Sequence, residues 1–201
     1  MIFDALIHEG IEHVRVPKKI PKKSLTKLCK ITSIKDLSGP FTYSHLPLIC
    51  SKSSAFGFYT DFKELIKEKP EYFSMPWVKK LHICSNVEVP DFTAESIEHF
   101  VKCILEIFPN IEVLYIQIKP LNPTWKFAYG ITKILEPHLF KNIPLSVKGR
   151  IEMEVCLKEM VSVDEFYKLT LEDNECAFGF SKACKNFEIH EDFTAYLVIR
   201  C

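Results

Sequence analysis

Two stretches decide the fold: Met75-Pro-Trp-Val-Lys-Lys-Leu-His-Ile-Cys-Ser85 and Phe108-Pro-Asn-Ile-Glu-Val-Leu-Tyr-Ile-Gln-Ile118. Superimposed, they match Pro76 with Pro109, Val78 with Ile111, Leu81 with Leu114 and Ile83 with Ile116. The offset from Leu81 to Leu114 is 33 residues, and each stretch carries the alternation of a half-buried strand. One period earlier stands Leu48, so the spacing predicts a third, weaker strand at Leu46-Pro-Leu-Ile-Cys-Ser51.

Between the two clear strands the period changes. Thr93 can cap a helix running to about Ile107, with Glu95 in its first turn favouring the positive end of the helix dipole. Ile97, Phe100, Val101, Ile104, Leu105 and Phe108 then form one continuous apolar face at 3.6 residues per turn. Shorter helices are predicted elsewhere on similar grounds. One follows Asp61 and Glu64, with Phe62, Leu65 and Ile66 inward, and ends before Pro70. Another opens at Pro123 or Thr124, carries Phe127, Ile131, Ile134 and Leu135, and closes at Pro137. A third follows the capping-box pair Ser162 and Glu165, with Phe166 and Leu169 inward. Further strands are expected at 11–16, 25–31, 150–156, 185–190 and 194–200. No linker or low-complexity stretch interrupts this pattern, so residues 1–201 read as a single α/β domain. Each strand–helix unit leaves an apolar face that only a neighbouring unit can cover.

The Pro-x-h-x-x-Leu-x-Ile units ending at Ile83 and Ile116, with an amphipathic helix between them, resemble the irregular leucine-rich repeats of ribonuclease-inhibitor-like domains. The resemblance is nearest in character to the repeats of fungal or nematode F-box proteins and rests mainly on residues 42–120. It implies a short, irregular α/β solenoid with a mainly parallel, curved sheet and helices on the outer face. The Leu-Pro-x-Glu/Asp-like opening of an F-box is missing at the start of the sequence. The resemblance therefore implies a substrate-reading part without a ligase adaptor, or a stand-alone relative.

Composition narrows the function classes. With 47% hydrophobic and 26% charged residues the 201-residue chain can build a sizeable core. Its 26 basic and 26 acidic residues cancel, which removes any global bias toward nucleic acid or anionic membrane. The longest apolar run is far short of the roughly 18 residues a membrane span needs, and the first residues lack the pattern of a secretory signal. Eight dispersed cysteines, several inside apolar segments, suit free thiols in a reducing compartment. The expected location is cytoplasmic or nuclear.

The repeat register also names outward-facing side chains. Lys80 and His82 occupy such places in the first strand, and Tyr115 and Gln117 in the second. Extrapolation adds Glu152 and Glu154, then Glu188 and His190. A mixed row of basic, aromatic and acidic groups suits a protein or peptide surface. The competing expectation is that they are simply the solvated side of a half-exposed sheet.

Chemistry-bearing motifs are sparse. His82-x-Cys84 and the Cys176, Cys184, His190 grouping lack the paired short spacing of structural zinc sites, so no metal or cofactor is expected. Six glycines leave little material for a phosphate loop, no Gly-x-Ser-x-Gly elbow occurs, and no catalytic residue is nominated. Cys176, in Cys-Ala-Phe-Gly-Phe, reads as a buried thiol. The lysine-rich run Pro17–Lys27 could be an import signal or a phosphate-contacting arm. It fits better as a solvated turn guarding a sheet edge. Many of the sixteen phenylalanines fall at core spacing. Trp77 and Trp125 suit cap packing better than surface anchoring. The sequence thus points to a protein-interaction module, such as a substrate-recognition or scaffold subunit, whose partner is another protein. Membrane is excluded as a partner and nucleic acid is disfavoured. The alternative is a small enzyme on an open α/β sheet with an unrecognised pocket.

Overall fold

The computed structural model describes residues 12–16, 22–39, 41, 43–61, 73–134, 137–157, 173–177 and 180–200. Nine strands among these residues form one sheet. They are β1 (His13–Arg15), β2 (Asp36–Ser38), β3 (Ala55–Asp61), β4 (Lys80–Glu88), β5 (Val113–Leu121), β6 (Lys148–Cys156), β7 (Asp173–Ala177), β8 (Phe180–His190) and β9 (Phe193–Arg200). Their spatial order is β1-β2-β3-β4-β5-β6-β9-β8-β7. From β1 to β6 each strand lies beside the next in sequence and parallel to it, and β9 continues the parallel set beside β6. The antiparallel pairings among the described residues are β7 with β8 and β8 with β9, a hairpin series at one end of the sheet. The class is α/β with a mainly parallel sheet.

The 33-residue period is the β4–β5 register itself, with Leu81 opposite Leu114 and Ile83 opposite Ile116. Burial alternates strictly along these strands. Leu81, Ile83, Ser85 and Val87 are enclosed, whereas Lys80, His82, Asn86 and Glu88 are exposed. Leu114, Ile116 and Ile118 in β5 and Ile151, Met153 and Val155 in β6 continue the buried side. The sheet thus has one face in the core and one open face.

Helices α1 (Lys22–Cys29), α2 (Ala94–Ile107) and α3 (Trp125–Ile134) supply further core side chains. Thr93 caps α2 as expected, and the capping box closes through Ser96. The Ser96 amide donates to Thr93 Oγ1 at 3.2 Å and the Thr93 amide to Ser96 Oγ at 2.9 Å. Ile97, Phe100, Val101, Ile104 and Phe108 are fully enclosed, and they join the buried strand residues in one continuous core. In α3, Ala128 and Ile131 face that core. The Phe127 amide donates to Thr124 Oγ1 at 3.3 Å, as a helix start there requires.

Three expectations change. Residues 46–51 form no strand, because Tyr43–Leu48 is a 3₁₀ helix and the strand beside β4 is Ala55–Asp61, with Phe56 opposite Leu81. The reason lies in Leu46 and Ile49, which are buried three residues apart, the 3₁₀ spacing, around a Pro47 that cannot donate to a ladder. Residues 25–31 are likewise not a strand. Leu25, Leu28 and Cys29 recur at i, i+3 and i+4 and put α1 into the core. The lysine run accordingly enters this helix, with Lys23 and Lys27 exposed, and is no turn between strands; its residues 17–21 lie outside the described ones. The helices expected after Asp61 and after Ser162 also fall outside the described residues, and Asp61 itself ends β3.

One glycine is essential to the sheet. Gly149, at φ +134, packs so close to the β5 backbone that a Cβ would overlap the Leu114 carbonyl.

Candidate functional site

The strand registers join into rows that cross the open face. One runs Arg15, Ser38, Gly57, His82, Tyr115, Arg150, Thr194, Glu188, each residue paired with the next across a strand boundary. The adjacent row runs Tyr59, Cys84, Gln117, Glu152, Tyr196, Asn186. Lys80 stands one row the other way, level with Asp36, Ala55, Val113 and Lys148. Of the eight residues nominated from sequence, Lys80, His82, Tyr115, Gln117, Glu152, Glu154 and Glu188 share this face.

His190 does not. A bulge between Glu188 and His190 adds one residue to β8, so Glu188 pairs with Thr194 but His190 pairs with Phe193. That extra residue turns His190 to the core side. Its ring lies 5.7 Å from that of the fully buried Phe193, and its Nε2 is enclosed without a hydrogen-bond partner among the described residues.

The open face divides into two chemically distinct halves. Over β5, β6 and β9 the long charged side chains pair with one another. Glu154 accepts from Lys119 Nζ at 2.7 Å and from Arg200 Nε at 3.1 Å, joining three strands. Glu152 lies 3.6 Å from Arg150, and Lys148 is 2.8 Å from Asp192. The Lys119 hydrogen bond, with help from Arg200, holds the Glu154 carboxyl below its ordinary range despite partial burial. Glu154 is therefore committed to a cross-strand ion network.

Over β1 to β4 the face is hollow. Between Arg15 and His82 the row carries only Ser38 and Gly57, so two strands contribute almost no side-chain volume. The result is a trough of about 530 Å³, open to solvent, bounded by His13 and Arg15 on β1 and by Tyr59, His82 and Cys84 on β3 and β4. A second hollow of about 230 Å³ adjoins it, sharing Asp36, Ser38, Gly57 and His82 and adding Lys80 and Tyr115. Partial enclosure lowers the His82 imidazole from its ordinary value, and the Arg15 guanidinium adds to that effect. His82 is thus chiefly neutral at pH 7. Its Nε2 lies 3.8 Å from Cys84 Sγ, and that thiol donates to Gln117 Oε1 at 3.7 Å.

The sequence reading named Lys80, His82 and Tyr115 but missed Arg15, Ser38 and Gly57. A strand is expected at 11–16, but Arg15, Ser38 and Gly57 stand on β1, β2 and β3, none of which follows the 33-residue repeat that names the outward places. The other cysteines add little chemistry. Cys29 and Cys103 are buried, and burial pushes the Cys29 thiol up to about 11, far from a reactive thiolate. Cys176 lies in β7, and no group of three His, Cys, Asp or Glu suited to a metal ion occurs among the described residues. Trp77 and Trp125 are partly buried against the core, as cap packing requires. No helix among the described residues is long and apolar enough to cross a membrane.

No protein-family model matches the chain, and no curated protein or solved structure is significantly similar to it.

Proposed function

We propose that this chain is a protein-interaction module that binds another protein through the open face of its sheet, without catalysis of its own. The observation that carries the reading is the row from Arg15 to Glu188: a sheet wide enough to hold a partner, buried on one side and lined on the other by mixed basic, aromatic and acidic groups. Tyr115, 45% exposed at the centre of that row, supplies the amphipathic area typical of binding anchors. Strand order supports the accompanying architecture, a short leucine-rich-repeat-like solenoid. From β1 to β6 the strands are parallel sequence neighbours in constant order, and the right-handed rule for such crossovers would send those connections to one side of the sheet. On that architecture the helices cover one face and the bare face is the one left for a partner.

The test compares affinity capture by the native chain and by Tyr115→Ala/Gln117→Ala, two changes at solvent-accessible positions. Loss of one stoichiometric partner, with an unchanged unfolding midpoint, is the expected result. Capture that is insensitive to every open-face substitution would remove the reading. Ubiquitin-ligase subunits among the captured proteins would sharpen it to a substrate-recognition subunit. A different stable partner would make the chain a scaffold.

One observation favours a second reading, a small enzyme. Cys84 and His82 sit side by side in the trough, the arrangement from which a thiol nucleophile and its base are built. The two readings separate by alkylation with iodoacetamide. The interaction reading expects Cys84 to react no faster in the folded chain than in the unfolded one, whereas an activated nucleophile reacts much faster when folded.

A further inference from the structure

The trough and the hollow beside it carry little side-chain bulk, with Arg15 lining the first and Lys80 the second. Arg15 and Lys80 have no carboxylate within ion-pairing distance among the described residues, whereas Lys119, Lys148, Arg150 and Arg200 each have one. Among the described residues Asp36 is the one carboxylate lining either hollow, and it faces His13 at 4.0 Å. We propose that the trough and the adjoining hollow together receive an acidic segment of the partner protein, seating its carboxylates between Arg15 on β1 and Lys80 and His82 on β4, above Gly57. The inference rests on the interaction reading and gives its partner a chemistry.

Geometry sets the size of the guest. The walls stand on β1 and β4, three strand spacings or about 14 Å apart at the backbone. That width admits one extended chain with its side chains, and a volume of about 530 Å³ holds several residues of it. Ser38 and Gly57 form the middle of the floor, where the incoming backbone meets almost no side chain, and Asp36 stands to one side of it. Arg15 offers a planar fork of donors suited to a carboxylate, and Lys80 a mobile point charge. His82, kept largely neutral, adds an N–H donor without adding a third charge to repel the other two. A shallow, open surface with two cations set across it gains affinity and approach rate from charge complementarity more than from buried area.

The experiment uses the full chain and a fluorescein-labelled Glu-Ser repeat peptide, with Gln-Ser and Lys-Ser repeats as controls. The Glu-Ser peptide is expected to bind, to weaken steeply with added salt, and to move the amide resonances of Ser38 and Gly57. Arg15→Glu/Lys80→Glu is expected to lose about tenfold or more in affinity for it and to gain affinity for the Lys-Ser peptide. That exchange of preference is something a merely misfolded variant cannot show. Equal binding by the double variant, or shifts confined to β5–β9, would overturn the inference. So would inorganic phosphate reproducing the shifts while the peptide binds no tighter, which would make the trough a small-anion site. The two readings fail separately: a partner lost with Tyr115→Ala/Gln117→Ala but retained by Arg15→Glu/Lys80→Glu sinks the trough alone, whereas capture insensitive to every open-face substitution removes the parent reading.

Discussion

The two halves of the open face share one set of registers and use their charges in opposite ways. On β5, β6 and β9, long charged side chains stand in many outward places and close on each other, as Lys119, Glu154 and Arg200 do. On β1 to β4, Ser38, Ala55 and Gly57 leave room, and Arg15 and Lys80 at the margin have no carboxylate within ion-pairing distance among the described residues. The first arrangement consumes its charges in holding strands together. The second holds them in reserve. Outward position on a sheet therefore says little about binding until the neighbours across the strand boundary are known.

The largest expected difference between the halves comes from a pair of glycine substitutions. Gly149→Ala at the β5–β6 seam combines a positive φ with a Cβ overlapping the Leu114 carbonyl. It should cost about 2–4 kcal/mol. Gly57→Ala on the trough floor has ordinary backbone geometry, and its Cβ meets Ser38 Cβ at 3.1 Å. Relief of glycine's entropic cost in a strand offsets that tight contact, so stability should stay within about 1 kcal/mol of the native chain. Urea denaturation of both variants measures the contrast. Equal losses would mean that the hollow half is packed as tightly as the filled one.

Next in size is the charge network. Glu154→Gln leaves Lys119 and Arg200 beside each other without their shared carboxylate, at a cost of about 1–2 kcal/mol. Arg15→Gln in the other half should change stability by less than about 0.5 kcal/mol, because no described ion pair is lost. The network also sets an acid dependence. The Glu154 carboxyl titrates below its unfolded value, so as pH falls the unfolded chain takes up the proton first. Its contribution is complete at neutral pH and is lost as pH falls from the ordinary carboxylate range through the lowered native value. In Glu154→Gln that part of the acid loss should be missing, and a pH series of denaturation midpoints would reveal it.

The filled half was largely legible in the sequence and the hollow half was not. The pairing of Leu81 with Leu114 could be read from spacing because β4 and β5 are nine residues each and joined by a strongly periodic helix. The outward places of Lys80, His82, Tyr115 and Gln117 followed from that register. Strand β3 broke the period. Its Phe56 is 25 residues before Leu81, its partner, and its Ala55 and Gly57 mute the strand signal that Phe56 and Phe58 carry. The trough depends on those muted residues and on two three-residue strands, so the feature that distinguishes the site is made of its least conspicuous sequence. His190 was misplaced for a related reason: a single bulge reverses a face without leaving a mark in the alternation.

The smallest predicted effect belongs to His82 and tests whether the trough walls sense each other. Enclosure and the Arg15 charge lower the folded imidazole below its unfolded value of about 6.5. Falling pH therefore protonates the unfolded chain first, and stability declines from about the unfolded value down to the lowered folded one. His82 keeps solvent contact, which screens the interaction, so the decline should be slight and best followed by the imidazole C–H resonances themselves. Arg15→Gln removes the guanidinium and should move the His82 midpoint upward toward its ordinary value. An acidic peptide seated between the walls should move it the same way, since its carboxylates offset the same charge. Lys119→Gln, in the filled half, should leave it unmoved. A His82 midpoint indifferent to Arg15 would mean that the two walls do not act on a common guest, and the trough would then be two separate surfaces.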